Sequence, residues 1–237
     1  RPPEAEVLGV ERACAMAVEI GTRIHFRQIS CAASIDILKR FADHDTISSE
    51  VTPHNLLLTN EDAERLGPYG AVIPPLRSDA DCAALQSALR DGTIDIVATD
   101  HAPHLRAEKE RGRDDIWQVA PGLPGVQTFA AIMRALADQG ALSLQDIART
   151  CAEQPARLFG LYPRKGTLAV GSDADLVIID PNSSTTITDD DQLSKAGWTP
   201  FAGLTTPGCI ERVMLRGQTI CRDGVVANTP IGSFLKR

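Results

Sequence analysis

The chain has 237 residues, 43% of them hydrophobic, and a formal net charge of −7. That length suits one large domain or two small ones, with apolar content enough for a proper core. Acid exceeds base and no Lys/Arg-rich segment occurs, which argues against a nucleic-acid or anionic-membrane surface. No apolar run approaches the ~18–20 residues of a membrane span, and the start carries no secretory signal pattern.

The cysteines, Cys14, Cys31, Cys82, Cys151, Cys209 and Cys221, are scattered with no Cys-x-x-Cys pair. That usage fits reduced thiols in a cytoplasmic protein better than a disulfide framework. The chain opens on Arg1-Pro2-Pro3-Glu4 without an initiator Met and runs straight into a helix, so it reads as a piece of something longer.

Pro2, Pro3, Glu4 and Glu6 are helix-entry chemistry, because Pro is tolerated in the first turn and acids favour the positive end of the helix dipole. Val7, Val10, Cys14, Ala17 and Val18 share one face, and Gly21 is the expected left-handed terminator. A short strand is expected over 23–29. A helix over 35–41, opened by Ser34, leads to a strand over 47–51 and the turn Thr52-Pro53-His54. A short helix over 61–66, closed by Gly67, leads to a strand over 71–73 and then Pro74-Pro75-Leu76-Arg77. Ser78, with Asp81 three residues on, makes a capping box. It opens a helix over 79–89 that Gly92 ends. Strands alternating with helices imply a parallel sheet with right-handed crossovers.

The most specific signal comes next. The apolar run from Ile94 to Ala98 ends abruptly in Thr99-Asp100-His101-Ala102-Pro103-His104. An apolar, β-branched run bounded by a Pro-containing turn reads as a buried strand. Its C-terminal lip is where α/β folds place their chemistry. Gln28 and Ser30, His54, and Arg77 end the other strands and would line the same rim. Four such units are half of an eight-stranded barrel, which leaves edges and an open face that natural sheets cover.

From 100 to 124 no periodicity is visible, and loops of that length are functional or mobile. Helices are expected over 125–137 and 144–151, with a last turn over 155–159. After Lys165 the chain turns to short strands over 166–171, 174–180, 210–215, 217–221 and 225–227. Arg216-Gly217 and Asp223-Gly224 are their turn signals.

Several strings match one family in order: Arg1-Pro-Pro-Glu-Ala-Glu6, Glu50-Val-Thr-Pro-His54, Pro74-Pro-Leu-Arg77, Ala98-Thr-Asp-His-Ala-Pro-His104, Gly122-Leu-Pro-Gly125 and Gly171-Ser-Asp-Ala-Asp-Leu176. Together they resemble the cyclic-amide branch of the amidohydrolase superfamily, and most closely the dihydroorotases. The resemblance implies an α/β chain. Residues 1–165 would form the C-terminal half of a (β/α)8 TIM-type barrel, and 166–237 part of a small β-sandwich. It implies a zinc-dependent, reversible opening of a cyclic amide, interconverting carbamoyl-aspartate and dihydroorotate in pyrimidine biosynthesis. By the same resemblance His54 is a metal-binding imidazole. Asp100 touches metal and shuttles the proton, His104 holds the substrate carboxylate, and Gly122 lies in the loop facing the substrate ring.

The chemistry needs these residue types for its own reasons. A metal lowers the pKa of its water and polarises the amide carbonyl. A carboxylate beside it takes a proton and returns it to the leaving nitrogen, and a cationic or donor side chain grips a carboxylate.

This sequence departs from the family at four places. It has no His-x-His. Gln28 stands where a metal-binding His is expected, and a neutral amide oxygen is a poor zinc ligand beside imidazole. Ile73 occupies the place of a substrate-binding Asn, and Asn55 that of a second His after His54. With only His54 and Asp100 as ligands, the chain should not hold a two-zinc site by itself, since catalytic zinc usually takes three protein ligands. His25 should face away from Gln28 as a packing residue. His44 should be on the surface, His101 should shape its turn, and Asp173 and Asp175 should be structural.

Three functions compete. The first is a dihydroorotase acting on a small cyclic amide or ureido acid. The second is an allantoinase- or hydantoinase-like enzyme. The third is a non-catalytic subunit that partners aspartate carbamoyltransferase. A homo-oligomer is expected in each case.

Overall fold

The computed structural model describes residues 1–235. Helix α1, Pro3–Ile20, buries Val10, Cys14 and Ala17, and Gly21 ends it in the left-handed region at φ 71°. Strand β1, Ile24–Phe26, is followed by α2, Ala32–Arg40, and β2, Ile47–Val51. After β2 come the short helices α3, Pro53–Leu57, and α4, Asn60–Leu66, then α5, Asp79–Asp91, and strand β3, Ile96–Val97. The three strands form one parallel sheet in the order β1-β2-β3, with Ile24 opposite Ile47 and Glu50 opposite Ile96. Beneath it lies the core, in which Val51, Leu85, Leu89 and Ile94 pack against Ile132, Met133 and Leu136.

The sequence expectation differs from this architecture in several places. The strand expected over 71–73 does not form. Pro74 and Pro75 offer no N–H to a ladder, and the Ala71 carbonyl is taken by the Gly122 amide at 3.0 Å. Only an isolated bridge, Thr59 to Arg77, marks that position. Thr52-Pro53-His54 is the start of a helix rather than a turn: the Asn55 amide donates to Thr52 Oγ1 at 3.3 Å, and Pro53 occupies the first helical position, where its missing N–H costs nothing. Helix α2 begins at Ala32, ahead of Ser34. The aperiodic stretch after Asp100 contains α6, Arg106–Glu110, and a 3₁₀ turn, Ile116–Gln118.

Helix α7, Phe129–Asp138, starts later than expected. The two segments beyond it join into one helical run: α8, Leu144–Ala148, a π-helical turn, Arg149–Glu153, and α9, Gln154–Leu158. Pro155 accounts for the wide turn, since its ring and missing N–H disturb the ladder one turn back. Thr150 Oγ1 caps the Asp146 carbonyl there at 2.7 Å.

From Leu176 the chain is antiparallel. Strands β4, Leu176–Thr186, β5, Thr205–Leu215, β6, Gln218–Arg222, and β7, Val225–Val226, form a second sheet in sequence order. Arg216 and Gly217 sit at φ 48° and 78°, Asp223 and Gly224 at 49° and 78°. Two consecutive positive φ values match the right-handed twist of the flanking strands, as tight hairpins require. No strand forms over 166–171, where Gly166 and Gly171 are both left-handed. Asp173 and Asp175 are structural, as expected: both pair with Lys165, and Asp173 also with Arg164 at 3.0 Å.

Candidate active site at the strand-end rim

The parallel sheet brings the ends of β1, β2 and β3 together, and with them a chain of charged side chains. His25 lies in β1 and Arg27 directly follows its last residue, two positions on and so on the same side. His25 shares hydrogen bonds with Ser48 Oγ (2.9 Å) and with Glu50 Oε2 (3.1 Å) through its two ring nitrogens. It therefore packs where expected, against Phe159 and the β2 side chains. Arg27 spans the rim: Nε lies 3.5 Å from Glu50 Oε1, and Nη2 lies 3.2 Å from Asp100 Oδ1. His44 is exposed, with its ring tilted 43° to that of Phe41 at a centroid distance of 6.1 Å.

Gln28 and Asp100 are both non-glycine residues in the left-handed region, at φ 59° and 46°. Such backbone costs on the order of 1–3 kcal/mol each and persists only where surrounding structure over-determines it. Both lie just past a strand. Burial pushes the Asp100 pKa up, opposed by the Gln28 side chain and the Arg27 charge and assisted by the Glu50 charge.

His54 is buried within the first turn of α3, and its Nε2 has no hydrogen-bond partner. Burial alone lowers its pKa to about 4, so the ring is neutral at pH 7 with a lone pair or proton unanswered. Asn55 beside it leaves Nδ2 without a partner as well. No hydrogen bond joins His54 to Asp100.

The third part of the rim is built from below. His104 Nε2 contacts the Pro121 carbonyl at 3.2 Å. Gly122 lies against the same ring at φ 148°, and a Cβ there would stand 2.5 Å from Ala102 Cβ and 3.1 Å from His104 Nε2. Only glycine fits that approach. Lys109, fully buried, donates to the carbonyls of Ala71 (3.0 Å), Ala120 (3.0 Å) and Gly122 (3.1 Å). Burial draws its pKa down to about 8. Its ammonium lies 5.5 Å from the centre of the Trp198 ring, whose Nε1 donates to the His104 carbonyl at 2.8 Å. His101 shapes the turn: its Nδ1 accepts from the amides of Gly125 (3.1 Å) and Val126 (3.3 Å).

Among the described residues, no three His, Cys, Asp or Glu side chains converge on a point that could hold a metal ion. The free Nε2 of His54 suits a ligand, but one Asp100 oxygen is already engaged by Arg27. The residues present therefore do not fit a complete zinc centre. Two concavities, of about 320 and 340 Å³, lie elsewhere, one between α7 and the antiparallel sheet, the other beside His101. None of His54, Asp100, His104 and Gly122 lines either.

Sequence reasoning placed Asp100, His104 and Gly122 in the rim but missed Arg27, Glu50, Lys109 and Trp198. Alternation with His25 along one strand was a usable signal for Arg27. For Lys109 there was none, because Glu108-Lys109-Glu110-Arg111 reads as a solvated charge run.

Residues 11–220 match the model of the amidohydrolase family. The chain is 44% identical over 203 residues to a dihydroorotase of Halobacterium salinarum, covering 86% of this chain and 46% of that protein. It is 39% identical to a dihydroorotase of Mycobacterium tuberculosis, covering 95% of this chain and 52% of the relative. A solved L-hydantoinase (dihydropyrimidinase) from Arthrobacter aurescens superimposes with a TM-score of 0.92 at 34% identity, over 96% of this chain and 51% of that one. The chain thus spans about half the length of the curated relatives it matches. Its rim, its parallel strands and the match over most of its length agree: the chain belongs to the amidohydrolase family.

Proposed function

We propose that the complete protein hydrolyses and forms a cyclic amide as a cytoplasmic dihydroorotase of pyrimidine biosynthesis, and that this chain supplies one wall of its site. In this reading 1–165 is half of a (β/α)8 barrel and 166–237 part of a β-sandwich. The observation that carries it is the rim: Asp100 at the end of β3, with His104 held against Gly122 four residues on. Asp100 takes a proton and returns it to the leaving amide nitrogen. His104 grips the substrate carboxylate, and the backbone at Gly122 faces the ring. The complete protein holds zinc, with His54 and Asp100 as this chain's share of the ligands. It works as a homo-oligomer.

Ile73 favours a second reading. It is exposed, 41% accessible, where a polar group for the substrate acid is expected. A hydrophobic side chain there suits a hydantoinase- or allantoinase-like substrate without that acid, since an unmade bond to a charged group costs about 1.5–3 kcal/mol. A non-catalytic partner of aspartate carbamoyltransferase remains the third reading, resting on Gln28.

Turnover of dihydroorotate, hydantoin and allantoin by the complete protein separates the three. Fastest opening of dihydroorotate is the expected result. Faster turnover of hydantoin or allantoin moves the assignment to the second reading. No opening of any of them by pure protein, with no bound zinc, sinks the enzyme.

A further inference from the structure

The Glu50–Arg27–Asp100 chain is the one cluster at this rim whose members the proposed chemistry does not fully use. Two carboxylates, with side chains only 9% and 19% accessible, converge on one guanidinium. Glu50 has both oxygens engaged, Oε2 by His25 and Oε1 by Arg27, and Asp100 has Oδ1 engaged by Arg27. Convergent, poorly hydrated carboxylates of this kind draw a divalent ion unless some other cation neutralises them. Here a cation is already built in, and it is one that does not lose its charge at any working pH. Its planar fork reaches both acids at once, which an ammonium, as a point charge, does less well. The Arg27 side chain is itself 66% accessible, so it meets the two shielded carboxylates from the solvent edge of the rim, at 3.5 Å from Glu50 and 3.2 Å from Asp100.

We propose that Arg27 is the resident cation of this rim: its guanidinium, bridging Glu50 and Asp100, fills the place where those carboxylates would otherwise take a divalent ion. The site then accepts at most one metal ion, on the side of His54. Gln28 fits the same plan. Its neutral amide is a poor metal ligand, whereas an imidazole at that position would add one. The inference deepens the proposed function and rests on reading this rim as the reaction site, but its test does not depend on turnover.

The complete protein is dialysed against excess zinc and then freed of loosely held ion, and bound metal is measured by elemental analysis, with cobalt(II) absorption as a second readout. The parent protein is expected to hold no more than one ion per chain. Arg27→Ala combined with Gln28→His is expected to gain an additional ion, with new cobalt bands. Arg27→Lys is expected to stay at the parent value, since the charge remains. Circular dichroism and melting temperature verify that each variant is folded. Two ions per chain in the parent protein, or a folded double variant that gains none, overturns the proposal. Failure of all cyclic amides to react, with the metal counts as expected, overturns the proposed function and leaves Arg27's role standing.

Discussion

Positive φ values at non-glycine residues occur in both sheets, and they mean different things. In the antiparallel sheet they fall at Arg216 and Asp223, each followed by a glycine in a two-residue hairpin. There the strain is local and is answered by the twist of the strands it joins. In the parallel sheet they fall at Gln28 and Asp100, in the loops beyond the ends of β1 and β3 and outside any tight hairpin. Unpaired buried polar atoms do not separate the two regions: among the described residues Arg212 Nε in β5 lacks a partner, as do His54 Nε2 and Asn55 Nδ2 near the rim. What separates them is the turn: at Arg216 and Asp223 the strained residue opens a tight hairpin, and at Gln28 and Asp100 it does not.

That contrast can be broken experimentally. The largest effect is expected from Asp100→Asn, which keeps the shape but removes the carboxylate proposed to accept the proton. Turnover of the preferred cyclic amide should fall by about 10²–10⁴-fold with the melting temperature little changed; an unaltered rate would remove Asp100 from the chemistry. Next is Lys109→Met, which leaves the carbonyls of Ala120 and Gly122 without their donor, while that of Ala71 keeps the Gly122 amide. A loss of stability of about 1–3 kcal/mol per orphaned group is the upper scale, and denaturant titration measures it.

Lys109 also carries a pH signature. Its folded pKa, about 8, lies below its ordinary value of 10.5. Between those values the unfolded chain binds more protons than the folded one, so folding stability rises with pH across that window. The parent protein should therefore gain on Lys109→Met between pH 8 and 10.5, and a constant gap would mean that the ammonium is not held as strongly disfavoured as its burial implies.

A smaller effect is expected from Trp198→Phe, which keeps the ring under Lys109 but loses the bond to the His104 carbonyl. About 0.5–1.5 kcal/mol is at stake, and KM should rise more than kcat falls, because His104 positions substrate in the proposed reaction. The smallest belongs to the other sheet. Gly224→Ala, at φ 78°, should cost about 1 kcal/mol and leave turnover untouched; a change in rate there would erase the distinction between the two kinds of strain.

Much of this was legible from residue order alone. Capping at Ser78–Asp81, the terminators Gly21 and Gly92, the hairpin signals and the strand before Asp100 are local chemistry, settled by residues within four or five positions of one another. The structural role of Asp173 and Asp175 was legible too, although their partners Arg164 and Lys165 lie eight to ten positions back, and His101 bonds not its own turn but the amides of Gly125 and Val126. Where propensity and tertiary contact competed, the reading failed. The expected strand over 71–73 lost its carbonyl to Gly122 and Lys109, and Pro155 opened a π-helical turn where two helices had been expected.

Sequence by itself determined the alternation of strands and helices, the family, and the strand-end position of Asp100 and His104, because each depends on short-range periodicity and motif. Only the tertiary structure decided that Arg27 reaches across to both Glu50 and Asp100, that His54 is buried without a partner, and that Lys109 lies beneath the loop as a pin. Those facts depend on which side chains from distant segments share one dry space, and a charge run such as Glu108-Lys109-Glu110-Arg111 looks the same on paper whether its lysine meets water or three carbonyls.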